Sequence, residues 1–175
     1  QRATGMTARP SPPHARTPAR LRVELGTAFA AAALVTLFIN LGMLYARVGQ
    51  YRRALDLFER AHARAVAGNH AELRWQSACE LGRMHHYAGR LRQSTELLDG
   101  AIGQLQRQMP NSPALIECLE QKSDLELTRQ DVPGAIASAR ASLAQAQRVF
   151  PRAQVHWISP RVQLATSLRA AAWEL

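Results

Sequence analysis

Lysine is nearly missing from this chain: Lys122 stands alone among 22 lysines and arginines. No glycine-rich run leads into a helix with a lysine behind it, which excludes a phosphate-cradling loop. Aromatic residues make up only 6% of the 175 residues, and threonine and valine are modest, a profile that argues against strands. Cys79 and Cys118 are the two cysteines. They lack the paired spacing of a zinc site or redox motif, and two cysteines make a poor disulfide scaffold. They read as small buried residues in a reducing, cytoplasmic setting. His85 and His86 are adjacent, so on a helix they point about 100° apart and do not converge on one metal. Serine, histidine and acids occur without a loop that would assemble a nucleophile, base and oxyanion donors. Nothing here predicts an enzyme, and no cofactor or metal is implied.

What the chain does have is alanine, leucine, arginine and glutamine in abundance, which suits helices. The expected fold class is all-α, in one domain of ordinary size. The formal charge of +9 is unevenly spread. Arg2, Arg9, Arg16, Arg20 and Arg22 face no acid in residues 1–22, whereas 17 bases face 13 acids beyond them. Residues beyond 22 therefore have an ordinary mixed surface, and nucleic-acid binding is not expected. The basic tail also holds Pro10, Pro12, Pro13 and Pro18 with almost no large apolar residue, so residues 1–22 read as a disordered linker. Residues 25–46 carry no charge and are long enough to span a bilayer. Their alanine, glycine, threonine and Asn40 weigh against a membrane span. The helical pattern is still running at Leu175, so a piece of a longer protein is expected.

One stretch stands out on a search for internal similarity. In TLFINLGMLYARVGQYRRALDLFERA, the residues Phe38, Leu41, Gly42, Tyr45, Gly49, Tyr51, Ala54, Phe58 and Ala61 fall in a recognisable order. Further on, Leu81, Gly82, Gly89, Leu91, Leu98 and Ala101 occupy the same slots, with His85 for the tyrosine and Ser94 for the small alanine. A third copy follows, anchored by Asp131, Val132 and Ala135, although Lys122 and Glu126 replace the usual leucine and tyrosine. The step from Leu91 to Val132 is one position longer than that from Tyr51 to Leu91. This pattern resembles the tetratricopeptide repeat. It implies an α-α superhelix of antiparallel hairpins, with units at about 35–68, 75–108 and 116–149 and part of a fourth at 158–175. The spacing resembles the longer repeats of kinesin light chain and of bacterial signalling proteins.

The physics of the stretch agrees. Leu41 with Tyr45, and Ala54 with Phe58, lie four apart and give each helix an apolar stripe. Gly42 is small where backbones approach, and Gly49 suits a left-handed helix end. Ser112-Pro113 and Ser159-Pro160 each read as an N-cap followed by the first helical residue. The last helix is expected to leave an apolar face uncovered.

The resemblance implies that first helices line a concave face. Its inward positions fall on Thr36, Ile39, Asn40, Met43, Ala46 and Arg47 in the first unit, and on Gln76, Cys79, Glu80, Arg83, His86 and Tyr87 in the second. In the third they fall on Glu117, Glu120 and Asp124, so the groove is expected to change sign along its length. Asn40, Met43, Arg47, Arg83, His86 and Tyr87 are the partner-binding candidates. Asn40 offers an amide to a peptide backbone or to neighbouring helices. Arg83, His86 and Tyr87 suit an acidic or aromatic peptide. Ile39 and Met43 stand where clamps for chaperone-tail carboxylates use basic and amide residues, so that specificity is not expected. The function implied is docking of a protein or peptide partner. The alternative is a regulatory arm of a larger bacterial signalling protein, such as a Ser/Thr kinase or a transcription regulator. Alanine and arginine usage points to a GC-rich bacterial genome.

Overall fold

A computed structural model describes residues 18–173. Among these residues seven α-helices follow one another: α1 (Pro18–Arg47), α2 (Tyr51–Ala67), α3 (Ala71–Tyr87), α4 (Leu91–Gln108), α5 (Ala114–Thr128), α6 (Val132–Val149) and α7 (Ile158–Trp173), with a short 3-10 turn at Gln154–Trp157 before the last. The fold is an all-α solenoid of hairpins. Each helix packs on the next, and the odd-numbered helices also touch one another along one side: α1 on α3, α3 on α5, α5 on α7.

Four of the six junctions use the same device. Gly49, Asn69, Gly89 and Gln130 adopt left-handed backbone, with φ of 76°, 53°, 71° and 61°. The residue after each donates its N–H to a carbonyl five positions back: Gln50 to Tyr45, His70 to Ala65, Arg90 to His85 and Asp131 to Glu126, all at 2.9 Å. This arrangement satisfies carbonyls that the helix end would leave bare, and glycine enters it without a Cβ penalty. With three-residue turns on both sides of α2, the extra length of the first repeat goes into longer helices. Gln130 follows Gly89 at an interval one position longer than that from Gly49 to Gly89, which sets the register of the third unit. The two other junctions, 109–113 and 150–157, are longer and flank the cleft described below.

At the crossing of α1 and α2, a Cβ on Gly42 would lie 2.7 Å from the Phe58 ring, and at that of α3 and α4 a Cβ on Gly82 would lie 2.9 Å from Leu98. Phe58 and Leu98 are completely buried, each in its own apolar cluster. Full burial of a side chain like Phe58 contributes roughly 1.5–3 kcal/mol. Leu41 departs from expectation. It remains 37% exposed, and the contact with α2 is made instead by Val35, Ile39 and Ala46, with Phe38 and Tyr45 at the edges.

Cys79 and Cys118 are joined in a disulfide, with Cα atoms 5.4 Å apart, linking α3 to α5. The sequence reading of two separate small residues is thereby corrected. The solenoid brings successive first helices side by side, and both cysteines face that seam.

α1 begins at Pro18, so residues 18–22, assigned above to the linker, are helical; residues 1–17 lie outside the described residues. The stretch Phe29–Arg47 is, by length and composition, long and apolar enough to cross a membrane. One side packs into the first hairpin. The other exposes Leu34, Leu37, Leu41, Leu44 and Val48 at alternating spacings of three and four.

The hydroxyl of Ser112 accepts the N–H of Ala114 at 3.2 Å, the expected cap. Ser159 does not begin its helix: α7 starts one residue earlier, at Ile158, continuing from the 3-10 turn. Proline is tolerated at 160 because the first turn leaves its N–H groups unbonded anyway. Ile158, Val162 and Leu168 of α7 are exposed.

Candidate partner-binding cleft

The first helices of the units, α1, α3, α5 and α7, form the walls of a cleft of about 660 Å3. α1 supplies Met43 and Arg47 at one end, and α3 supplies Glu80, Arg83 and Tyr87. α5 lines the middle with Ile116, Glu117, Glu120, Gln121 and Asp124. Phe150, Val155 and His156 of the long junction close the far side with Ser159, Pro160 and Gln163 of α7. Phe150 and His156 stack with ring centres 4.1 Å apart.

Four of the six candidates, Met43, Arg47, Arg83 and Tyr87, come together in this cleft. Two lie elsewhere. Asn40 is exposed but outside the lining. His86 turns toward the next hairpin, where its Nε2 lies 2.7 Å from the Thr128 hydroxyl. Burial lowers its pKa, partly countered by Asp124, so the neutral ring is favoured there. Of the other inward positions, Ile39, Ala46 and Cys79 are core residues. Helices that touch their neighbours on both sides bury those positions.

Tyr87 is 51% exposed and sits between Tyr51, with ring centres 5.3 Å apart, and His86, at 5.7 Å. Arg83 does not project as a free cation. Its Nε donates to Glu80 Oε2 at 3.0 Å, Nη2 reaches the same oxygen, and the guanidinium lies 5.9 Å from the Tyr87 ring. Burial works against its charge, but Glu80 and Tyr87 more than offset this, so its pKa is raised. Glu80 is almost fully buried and also accepts from Gln121 Nε2 at 2.9 Å. Arg83 is therefore spent on neutralising Glu80, and the expected affinity for acidic peptides loses its main support.

The middle of the cleft is acidic. Burial raises the Glu117 pKa, with help from Glu80. Burial also pushes Glu120 up to about 7; its contact with Ser159 opposes the shift, while Glu117 and Asp124 add to it. Two arginines, from α1 and α3, thus share the cleft with four carboxyl groups, three of them on α5. The far wall went unforeseen in the sequence. Its signal was an unusual junction, PRAQVHW, with apolar and aromatic residues, where four of the other turns are only three residues long.

The tetratricopeptide repeat family pattern matches residues 36–69. The fold is similar to the crystal structure of BtubC (BKLC) from P. vanneervenii, with a TM-score of 0.63 and 17% sequence identity, covering 88% of this chain. The chain spans 66% of that neighbour, just under two thirds of its length. No curated protein matches the sequence.

Proposed function

We propose that this tetratricopeptide-type repeat protein docks an extended segment of a partner protein in the cleft between α1, α3, α5 and α7. Tetratricopeptide repeats generally mediate protein–protein interaction and are typically non-catalytic. The observation that carries the reading is the convergence of four first helices on one open, mixed polar and apolar cleft, with Tyr87 half exposed at its mouth. Exposed aromatic side chains beside apolar and charged groups are the surface from which interface anchors are drawn. The disulfide in the wall favours an oxidising setting over the cytoplasm expected from composition.

The test is selection of peptides from a displayed random library on the full chain, with the footprint of an enriched peptide mapped by amide hydrogen exchange. Slowed exchange in α3, α5 and α7, and weaker binding by an Arg47→Ala, Tyr87→Ala variant with an unchanged melt, is the expected result. Protection confined to the outer helices α2, α4 and α6 would overturn it.

A further inference from the structure

Three oxygen atoms along α5 are buried and lack a hydrogen-bond donor: Glu117 Oε2, Glu120 Oε1 and Gln121 Oε1. All three belong to residues lining the same cleft. The assignment of the Gln121 amide is settled by its neighbour. Its nitrogen side donates to Glu80 Oε1, and an ionised carboxylate only accepts, so the other side of the amide must be the oxygen. Gln121 is 8% exposed, which leaves its carbonyl oxygen little access to bulk water. Gln76 serves the Glu117 carboxyl and Ser159 that of Glu120, yet each of the three groups keeps one buried oxygen that no donor meets.

Two of the donors already in the cleft are committed. Arg83 is held by Glu80. Gln163 Nε2 of α7 divides itself between Asp124 Oδ1 at 2.7 Å and the Ser123 hydroxyl at 3.1 Å. Arg47 of α1, at the end of the cleft, is exposed.

From this geometry we infer that the cleft recognises a cationic side chain of the docked segment, an arginine or lysine inserted between α3, α5 and α7, with Glu117, Glu120 and Gln121 as its acceptors. The inference rests on the docking reading and names the chemistry of the partner. A guanidinium offers five N–H groups in a flat fork and fits several convergent acceptors better than a single-headed donor. The half-exposed Tyr87 and the stacked Phe150 and His156 stand at the rim, where the aliphatic stem of such a side chain can lie against rings. Charge-assisted bonds of this kind, where water is excluded, favour the charged side chain by roughly tenfold or more in affinity.

The dependence on pH has a definite sign. The groups facing the acceptors are Glu80 and Arg83 from α3, Asp124 on α5, His156 from the 3-10 turn and Ser159 from α7. With Glu120 half protonated at about 7 in the free protein, an entering cation favours its ionised form, so binding releases protons at neutral pH. Acidification neutralises the carboxyl groups and weakens capture.

The probe is a blocked Gly-Ser-Ala-Arg-Ala-Ser-Gly peptide, compared by calorimetry with the same peptide carrying citrulline, which keeps the shape of arginine and removes its charge. With the full chain at about pH 8, the arginine peptide is expected to bind at least tenfold more tightly, and to lose that advantage on Glu117→Gln with Glu120→Gln or at about pH 5.5. Equal affinity for the two peptides, indifference to the double substitution, or no binding of the arginine peptide at millimolar concentration by a folded chain would each overturn the inference. The two readings fail separately: peptides enriched from the random library that occupy the cleft but carry no basic residue would leave docking standing and remove the cation, whereas protection confined to α2, α4 and α6 would remove docking itself.

Discussion

The first and third hairpins cross at equivalent positions and divide the space in opposite ways. In the first, Gly42 faces the fully buried Phe58, with no room for a Cβ. In the second and third units the same pair of positions reads Gly82 with Leu98, and Ser123 with Ala139. As the second helix gives up volume, from ring to isobutyl to methyl, the first regains a side chain. The third hairpin also changes its chemistry. Ser123 donates to the Ala135 carbonyl at 2.9 Å, Ser142 to that of Ile116 at 3.2 Å, Ser138 to Glu126 at 2.6 Å, and Gln145 to the Pro110 carbonyl at 2.7 Å. A hairpin can thus be closed by one large apolar plug or by a set of directed hydrogen bonds, provided the space is filled and every buried donor finds its acceptor.

Exchanging the two solutions is the strongest way to break this comparison. Phe58→Ala should cost about 3–5 kcal/mol in chemical denaturation. Adding Gly42→Ser, which imitates the third hairpin, should recover part of that loss; a double variant less stable than Phe58→Ala alone would show that the two crossings are not equivalent. Next in size, replacing Cys79 and Cys118 with serine should cost about 3–4 kcal/mol, from release of a loop spanning 39 residues. A reductant should lower the melting temperature of the wild type and leave the serine variant unmoved.

Ser123→Ala should cost about 1–2 kcal/mol, because the hydroxyl serves Ala135, Ser167 and Gln163 together. The matching Gly42→Ala in the first hairpin should destabilise by about 1–3 kcal/mol through overcrowding against Phe58. If both changes proved neutral, the crossings would be looser than the contacts imply.

The smallest effect concerns charge. Between about pH 4.5 and 7 folded Glu120 keeps a proton that the unfolded chain releases, so its contribution to stability falls as pH rises through that window. Glu120→Gln should therefore stabilise at about pH 8, by about 1 kcal/mol after allowance for partial solvent screening, and do nothing near pH 4.5. Equal melting temperatures at high pH would mean that the carboxylate is better solvated than its surroundings suggest.

The first hairpin was legible because its information is local: Gly49 ends a helix, and Ala54 and Phe58 lie on one face within a single turn. The third was harder, since Lys122 and Glu126 stand where leucine and tyrosine are expected. In the structure Lys122 reaches Asp99 of α4 at 2.6 Å and Glu126 at 3.9 Å. At the same slot Leu41 is exposed and Leu81 buried, so its surroundings differ from unit to unit, and in the third a charged residue is tolerated because it finds partners. Inward positions inferred from repeat numbering mixed cleft with core because neighbouring first helices bury what lies between them. The Cys79–Cys118 bond depends on which side chains meet across helices, and near-equivalent places in successive first helices bring the two close without deciding between a bond and two separate thiols. Glu80 and Arg83 lie three apart on α3, a pairing that spacing allows; what spacing read one helix at a time does not hold is the contact of Glu80 with Gln121 of α5.

Cross-linking α3 to α5 also has a mechanical side. In a stack where each unit touches only its neighbours, bending is shared among the joints, and each joint acts as a soft spring in series. The covalent bond stiffens the central joint, between the second and third units, and leaves those on either side compliant. The acidic middle of the cleft, lined by α3 and α5, lies at the stiffened joint, and the ends formed by α1 and α7 lie at the compliant ones. Reduction would return that joint to the compliance of its neighbours, so the stiffness of the stack at its centre is set by one bond.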